Sequence, residues 1–147
     1  TQSRSSAASD VYKRQIIDSK QVSAIAFAQC DFDQIPSAIF TTFNKIKRIK
    51  YDGGHVKTVA RENFQGAKNL KYLEMNDVNI DHIKAEAFDT ASELLEITFK
   101  KCQIGRIAGD AFDGLTKLQK VSFEGSTYPN KDFISKLPKS VEIIELA

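Results

Sequence analysis

The stretch LKYLEMNDVNIDHIKAEAFDTASE, residues 70–93, places large apolar side chains at Leu70, Leu73, Met75, Val78, Ile80, Ile83 and Phe88. The steps between the first six run three, two, three, two, three. A step of two turns about 200° around an α-helix, so no single helical face could gather these residues. Leu73 and Met75 instead fit a strand, with both side chains on one side and Glu74 on the other. The closing segment AEAFDTASE (85–93) suits a short helical turn or two, as does GDAFDGLTK (109–117) further on. One block thus reads as a strand, a turn and a brief helical return.

The same spacing recurs through the chain. Blocks of 24 align Val22, Ile46, Leu70, Leu94 and Leu118 in one column. The fourth column holds Ile25, Ile49, Leu73, Ile97 and Val121, and the sixth Phe27, Tyr51, Met75, Phe99 and Phe123. The eleventh holds Phe32, Val56, Ile80, Ile104 and Tyr128. The fourteenth begins Ile35, Val59, Ile83, Ile107, and the nineteenth reads Phe40, Phe64, Phe88 and Phe112. Agreement in six columns marks an internal repeat. One block alone buries too little to offset its ordering entropy, so the blocks must stack and cover one another. The expected product is a curved solenoid with a parallel sheet along its inner face.

With these residues in view, LKYLEMNDVNI and LLEITFKKCQI resemble the LxxLxLxxN/CxL signature of leucine-rich repeats. The 24-residue length and the recurring Ala87-Phe88 and Ala111-Phe112 resemble the typical subclass common in extracellular animal proteins. The resemblance covers residues 22–147. It implies an α/β fold: a right-handed solenoid, bent into a horseshoe arc, with a parallel β-sheet on the concave face. It implies partner binding and no chemistry. Repeats are expected to start near 22, 46, 70, 94, 118 and 141, within a domain spanning 16–147.

Two departures from the signature carry expectations. The ninth column, usually Asn, reads Cys30, Gly54, Val78, Cys102 and Ser126. An Asn there would bond the turn backbone. Cys and Ser can substitute in part, but Gly54 and Val78 offer no side-chain polar group. A looser or hydrated turn is therefore expected near the second and third repeats. The block from Leu118 also loses register after Tyr128 and shortens to 23 residues through NKDFISKLPKS, after which Val141, Ile144 and Leu146 restart the pattern. Ile16 falls where a preceding block would place its Phe, and Ala147 falls inside a strand. Both ends accordingly read as cut, and the chain as a fragment.

The first fifteen residues, TQSRSSAASDVYKRQ, are small, polar and basic. They read as a disordered tail resembling translated library adapter, with a natural flexible tail as the alternative. The chain carries 21 Lys and Arg against 19 Asp and Glu. This tail holds Arg4, Lys13, Arg14 and Asp10, so the remainder is electrically balanced. Nothing calls for nucleic acid or an anionic membrane. No run approaches the roughly 18 apolar residues of a membrane span, so this segment is not expected to insert.

The residues capable of chemistry read as structural. Cys30 and Cys102 share a column three layers apart, about 14 Å at roughly 4.8 Å per layer. That exceeds the roughly 7 Å reach of a disulfide, and buried thiols are expected. His55 and His82 are assigned to surface turns. Asp31 with Asp33, and Glu86 with Asp89, lack a positioned third group. No catalytic residue, cofactor or metal ligand is assigned, and no phosphate loop or hydrolase motif is present.

The candidate binding residues alternate outward from the strands. They are Arg48, Lys50 and Asp52, then Tyr72, Glu74 and Asn76, then Glu96, Thr98 and Lys100. Ala24, Ala26 and Ala28 precede them, and Lys120, Ser122 and Glu124 follow. A face mixing an aromatic with both charge signs suits a protein partner. The expectation is a non-enzymatic protein-interaction module binding through the concave face. Extracellular or cell-surface placement follows from the resemblance alone. The alternatives are a structural or accessory subunit of a secreted complex, as in the non-catalytic repeat chains of crustacean luciferases, and a Toll-like innate-recognition ectodomain fragment.

Overall fold

Alternating side chains hold each block open as a strand, and the constant period lets equivalent strands meet in register. The structure is a computed structural model that describes residues 19–146. The tail 1–15, Ile16 and Ala147 lie outside the described residues. Strands β1 (Ala24–Gln34), β2 (Arg48–Val59), β3 (Tyr72–Asn76), β5 (Glu96–Lys100), β7 (Lys120–Ser122) and β8 (Ile143–Glu145) form successive layers. Strands β4 (Asn79–Ile83) and β6 (Gln103–Ile104) follow β3 and β5 in their own layers. All pairings are parallel. Ile25 faces Ile49, Leu73 faces Ile97 and Ile97 faces Val121, each a step of 24. Val121 then faces Ile144, a step of 23, as the shortened last block requires. The result is a leucine-rich-repeat solenoid arc with its parallel sheet on the concave side.

Each layer is hooked to the last just before its strand begins. The backbone N–H groups of Lys47, Lys71, Leu95 and Gln119 donate to the carbonyls of Ser23, Lys47, Lys71 and Leu95 at 2.7–2.8 Å. Glu142 continues the series by donating to Gln119 at 2.8 Å. The residue after each donor bonds to the same carbonyl at 3.0–3.2 Å, so main-chain groups supply two bonds per layer at a fixed place and satisfy polar groups that stacking buries.

The turn after each strand rests on a column that the sequence reading passed over. The eighth residue of every block is left-handed: Gln29 (φ 53°), Gly53 (78°), Asp77 (56°), Lys101 (55°) and Gly125 (68°). The turns near Gly54 and Val78 are not loosened, contrary to expectation. Gly54 faces Cys30 in register, and β1 and β2 run unbroken through their turns. Val78 turns its side chain into the core at 1% exposure. Its turn is held by main-chain bonds from Asp77 to Lys100 at 2.8 Å and from Gln103 to Val78 at 3.1 Å. Close backbone approach replaces the side-chain ladder.

Where the ninth column is polar, it does reach the neighbouring layer. The Ser126 hydroxyl donates to the Phe99 carbonyl at 2.7 Å and accepts from the Cys102 N–H at 2.9 Å. The Cys102 thiol donates to the Met75 carbonyl at 3.2 Å. The Cys30 thiol, among the described residues, bonds within its own strand, to the Ala28 carbonyl at 3.4 Å, and is half-buried where burial was expected. No described layer covers the outer side of β1, which explains the difference.

Between the strands and their returns lies an aromatic core. Phe40, Phe64, Phe88 and Phe112 form one interior file, with centroids 6.1, 5.6 and 5.4 Å apart. Phe133 extends that file at 5.9 Å from Phe112, although it falls three residues short of the 24-residue spacing. A second file pairs Phe27 with Tyr51 and Phe99 with Phe123, both stacked, with Met75 between the pairs. The returns are shorter than expected. Among the described residues only α1 (Ala38–Thr42) is α-helical, Arg61–Phe64 and Asp132–Lys136 are 3-10 turns, and residues 85–90 and 109–114 are plain turns. Asn63, itself buried, ties down its turn by accepting from the Ala60 N–H at 2.7 Å.

Tyr51 sits in this core at 2% exposure, and its hydroxyl has no hydrogen-bond partner among the described residues. Burial accordingly pushes its phenol far above the ordinary range. An orphaned buried hydroxyl costs stability, roughly 1–3 kcal/mol. Tyr51→Phe should leave the urea midpoint unchanged or raise stability by about 1–2 kcal/mol. A clear loss would show that the hydroxyl bonds to something.

Candidate functional site

Strand alternation turns positions three, five and seven of each block away from the core, and parallel register aligns them into files. Arg48 faces Tyr72, Tyr72 faces Glu96, and Glu96 faces Lys120. Lys50 faces Glu74, which faces Thr98. Asp52 faces Asn76, which faces Lys100. All nine residues named from the sequence therefore lie on one face in three adjacent files, with Ala24, Ala26 and Ala28 at their head.

Contacts along these files join each layer to the next. The Arg48 guanidinium lies 4.4 Å from the centre of the Tyr72 ring. Lys50 pairs with Glu74 at 3.7 Å, and the Asn76 amide donates to Asp52 at 3.2 Å. Lys100 pairs with Glu124 at 4.0 Å, and Lys120 with Glu145 at 3.3 Å. Ion pairs this open to water add little stability, so their main effect is to orient side chains. Glu96 and Thr98 are half-buried and make no ion pair or side-chain hydrogen bond within the described residues. Ser122 differs from expectation. It is 2% exposed, and its hydroxyl helps, with Lys120, to hold the Glu145 carboxyl below the usual carboxylate range.

The remaining reactive side chains lie elsewhere. Cys102 is buried and Cys30 half-buried, and both thiols are free. Burial raises the Cys102 thiol above its ordinary value despite hydrogen bonds at Val78 and Ser126, which disfavours the nucleophilic thiolate. His55 and His82 occupy β2 and β4, not turns, because β2 continues through its left-handed residue and β4 begins just beyond Asp77. His55 Nε2 lies 2.8 Å from Asp81 Oδ1. Burial, then the charges of Arg106 and Lys84, depress the His82 imidazole. Asp89 is held by Arg61 through two contacts of 3.1 Å, and its N–H donates to the Glu86 carbonyl at 3.2 Å within their turn.

His55 and Asp81 belong to a shallow cleft lined also by Asn79, Gln103, Gly105 and Thr127. Its signal in the sequence is the polar tenth column, Asp31, His55, Asn79, Gln103 and Thr127, which draws less notice than the apolar columns. Among the described residues, no three His, Cys, Asp or Glu side chains are grouped to hold a metal ion. No helix among them is long and apolar enough to cross a membrane.

Comparison with known proteins agrees with this geometry at the level of the repeat. A search of curated proteins returns no match. The family description that matches is the BspA-type leucine-rich repeat region, in six copies over residues 17–136. It lends no support to the typical subclass of extracellular animal proteins that the 24-residue period resembles. The stacked 24-residue layers and this match over most of the chain lead to one conclusion: the protein belongs to the BspA-type leucine-rich repeat family.

Proposed function

We propose that the chain is a non-catalytic protein-interaction module that engages a partner protein across its concave sheet face. One observation carries this reading. Three files of solvent-facing side chains run in register over the central layers and combine an aromatic ring, both charge signs and hydrogen-bonding groups. Such a mixture, held on rigid strands, can contact a protein surface without reorganising. Tyr72, Arg48, Lys50, Glu74 and Lys100 are its principal contact residues. Placement outside the cell or at its surface belongs to the same reading and rests on the resemblance of the repeat. Surface labelling of the native protein on intact cells, with recovery from the medium, would test it.

A structural role is the second reading. It is favoured by the way Lys50, Lys100 and Lys120 are each taken up by a carboxylate of the following layer. Such pairing serves a supporting arc as well as a binding one. The two readings separate in one experiment. The double variant Tyr72→Ala with Lys50→Glu keeps the core intact, and a binding module should lose at least about tenfold in partner capture from native extract. Capture equal to that of the parent, with an unchanged fold, would remove the concave face from the mechanism.

A further inference from the structure

Resting on the concave-face reading, we infer that Tyr72, Glu96 and Thr98 form a receiving site for one arginine or lysine side chain of the protein partner. Register places Arg48 on one side of Tyr72 and Glu96 on the other. Arg48 already lies against the ring at 4.4 Å. Neighbouring layers lie roughly 4.8 Å apart, too close for a cation to enter between the two side chains. A guanidinium or ammonium arriving from solvent would instead rest across their outer ends, where the half-buried Tyr72, Glu96 and Thr98 are open to it.

Charge pairing along the files singles out this position. Glu74, Glu124 and Glu145 each accept a lysine from within the chain, and Asp52 accepts the Asn76 amide. Glu96 is the carboxylate on this face left without a partner among the described residues. Lys120, which faces Glu96 in register, is drawn instead to Glu145 at 3.3 Å. The Thr98 hydroxyl next to it likewise makes no bond among those residues. An acceptor hydroxyl, an unneutralised carboxylate and an aromatic ring together match a cation bearing N–H donors. An acidic group is disfavoured at the same place by Glu96 itself.

The test uses the blocked peptides Gly-Ser-Arg-Ser-Gly, its lysine and glutamate counterparts, and its citrulline counterpart. Citrulline keeps the shape of arginine and removes the charge. Each is titrated at low salt into the whole chain while backbone amide resonances are followed. The arginine and lysine peptides should move the Tyr72, Glu96 and Thr98 signals saturably. The citrulline and glutamate peptides should bind at least about fivefold more weakly. Glu96→Gln should weaken the arginine peptide about tenfold while leaving the remaining amide spectrum unchanged. Equal binding of citrulline, shifts spread evenly over exposed carboxylates, or no effect of Glu96→Gln would each overturn the assignment. If the arginine peptide fails while the Tyr72→Ala, Lys50→Glu pair still abolishes partner capture, the cation site falls and the concave-face reading survives. If the peptide binds but that pair leaves capture unchanged, the broader reading fails instead.

Discussion

Phe88→Ala is expected to cost about 3–5 kcal/mol. Phe88 is fully buried, and its ring lies 5.6 Å from Phe64, 5.4 Å from Phe112 and 6.5 Å from Phe99. Removing it opens a void in the middle of the file that the flanking rings cannot close, because each is fixed by its own layer. The loss should also change the shape of unfolding. A stacked array holds together through nearest-neighbour contacts, so a gap in a central layer uncouples the two sides. The urea transition should both move to lower concentration and broaden. A midpoint within error of the parent would mean that the ring contributes nothing to the stack.

Gly54→Ala should be comparably damaging, at about 2–5 kcal/mol, for a different reason. Gly54 sits at φ 93°, and a Cβ built there would lie 2.1 Å from the Cys30 carbonyl oxygen and 2.8 Å from the Cys30 nitrogen. Both are backbone atoms of the paired strand, so neither can swing aside. Unfavourable φ contributes roughly 1–3 kcal/mol, and forced displacement of the neighbouring layer roughly as much again. Gly66→Ala isolates the first contribution. Gly66 has φ 87°, but its nearest neighbour is the Phe40 Cβ at 3.8 Å. It should lose only about 1 kcal/mol. Equal losses at both glycines would show that the β1–β2 approach is looser than its geometry.

These substitutions touch features of unequal visibility in the sequence. The Phe file was legible because each ring repeats at a constant interval, and a repeat distributes one physical requirement over several positions. The outward residues were legible for the same reason, since strand alternation fixes their direction once the inward columns are known. The left-handed eighth column was not, because Gln29, Asp77 and Lys101 stand where only Gly53 and Gly125 announce the conformation. Phe133 was hidden by the shortened block. The 3-10 turn Asp132–Lys136 delivers its ring to the same file from a different sequence position.

The candidate face divides in the same way. Its nine residues could be named from spacing, but their pairing could not. Which lysine meets which carboxylate depends on side-chain conformations across layers, and that choice commits Lys120 to Glu145 and leaves Glu96 without a partner among the described residues. Similarly, column nine suggested weakness at Gly54 and Val78, whereas the layers approach closely enough there for main-chain contact to take over.

By itself the sequence determined the period, the inward and outward faces, the register of the parallel sheet and its 23-residue final step. These follow from covalent spacing and from the need to bury apolar columns. Tertiary structure alone decided how the turns close, which thiol is buried, where the histidines lie and which concave-face carboxylate has no partner among the described residues. Those depend on the distance between neighbouring layers, a quantity that no single block contains.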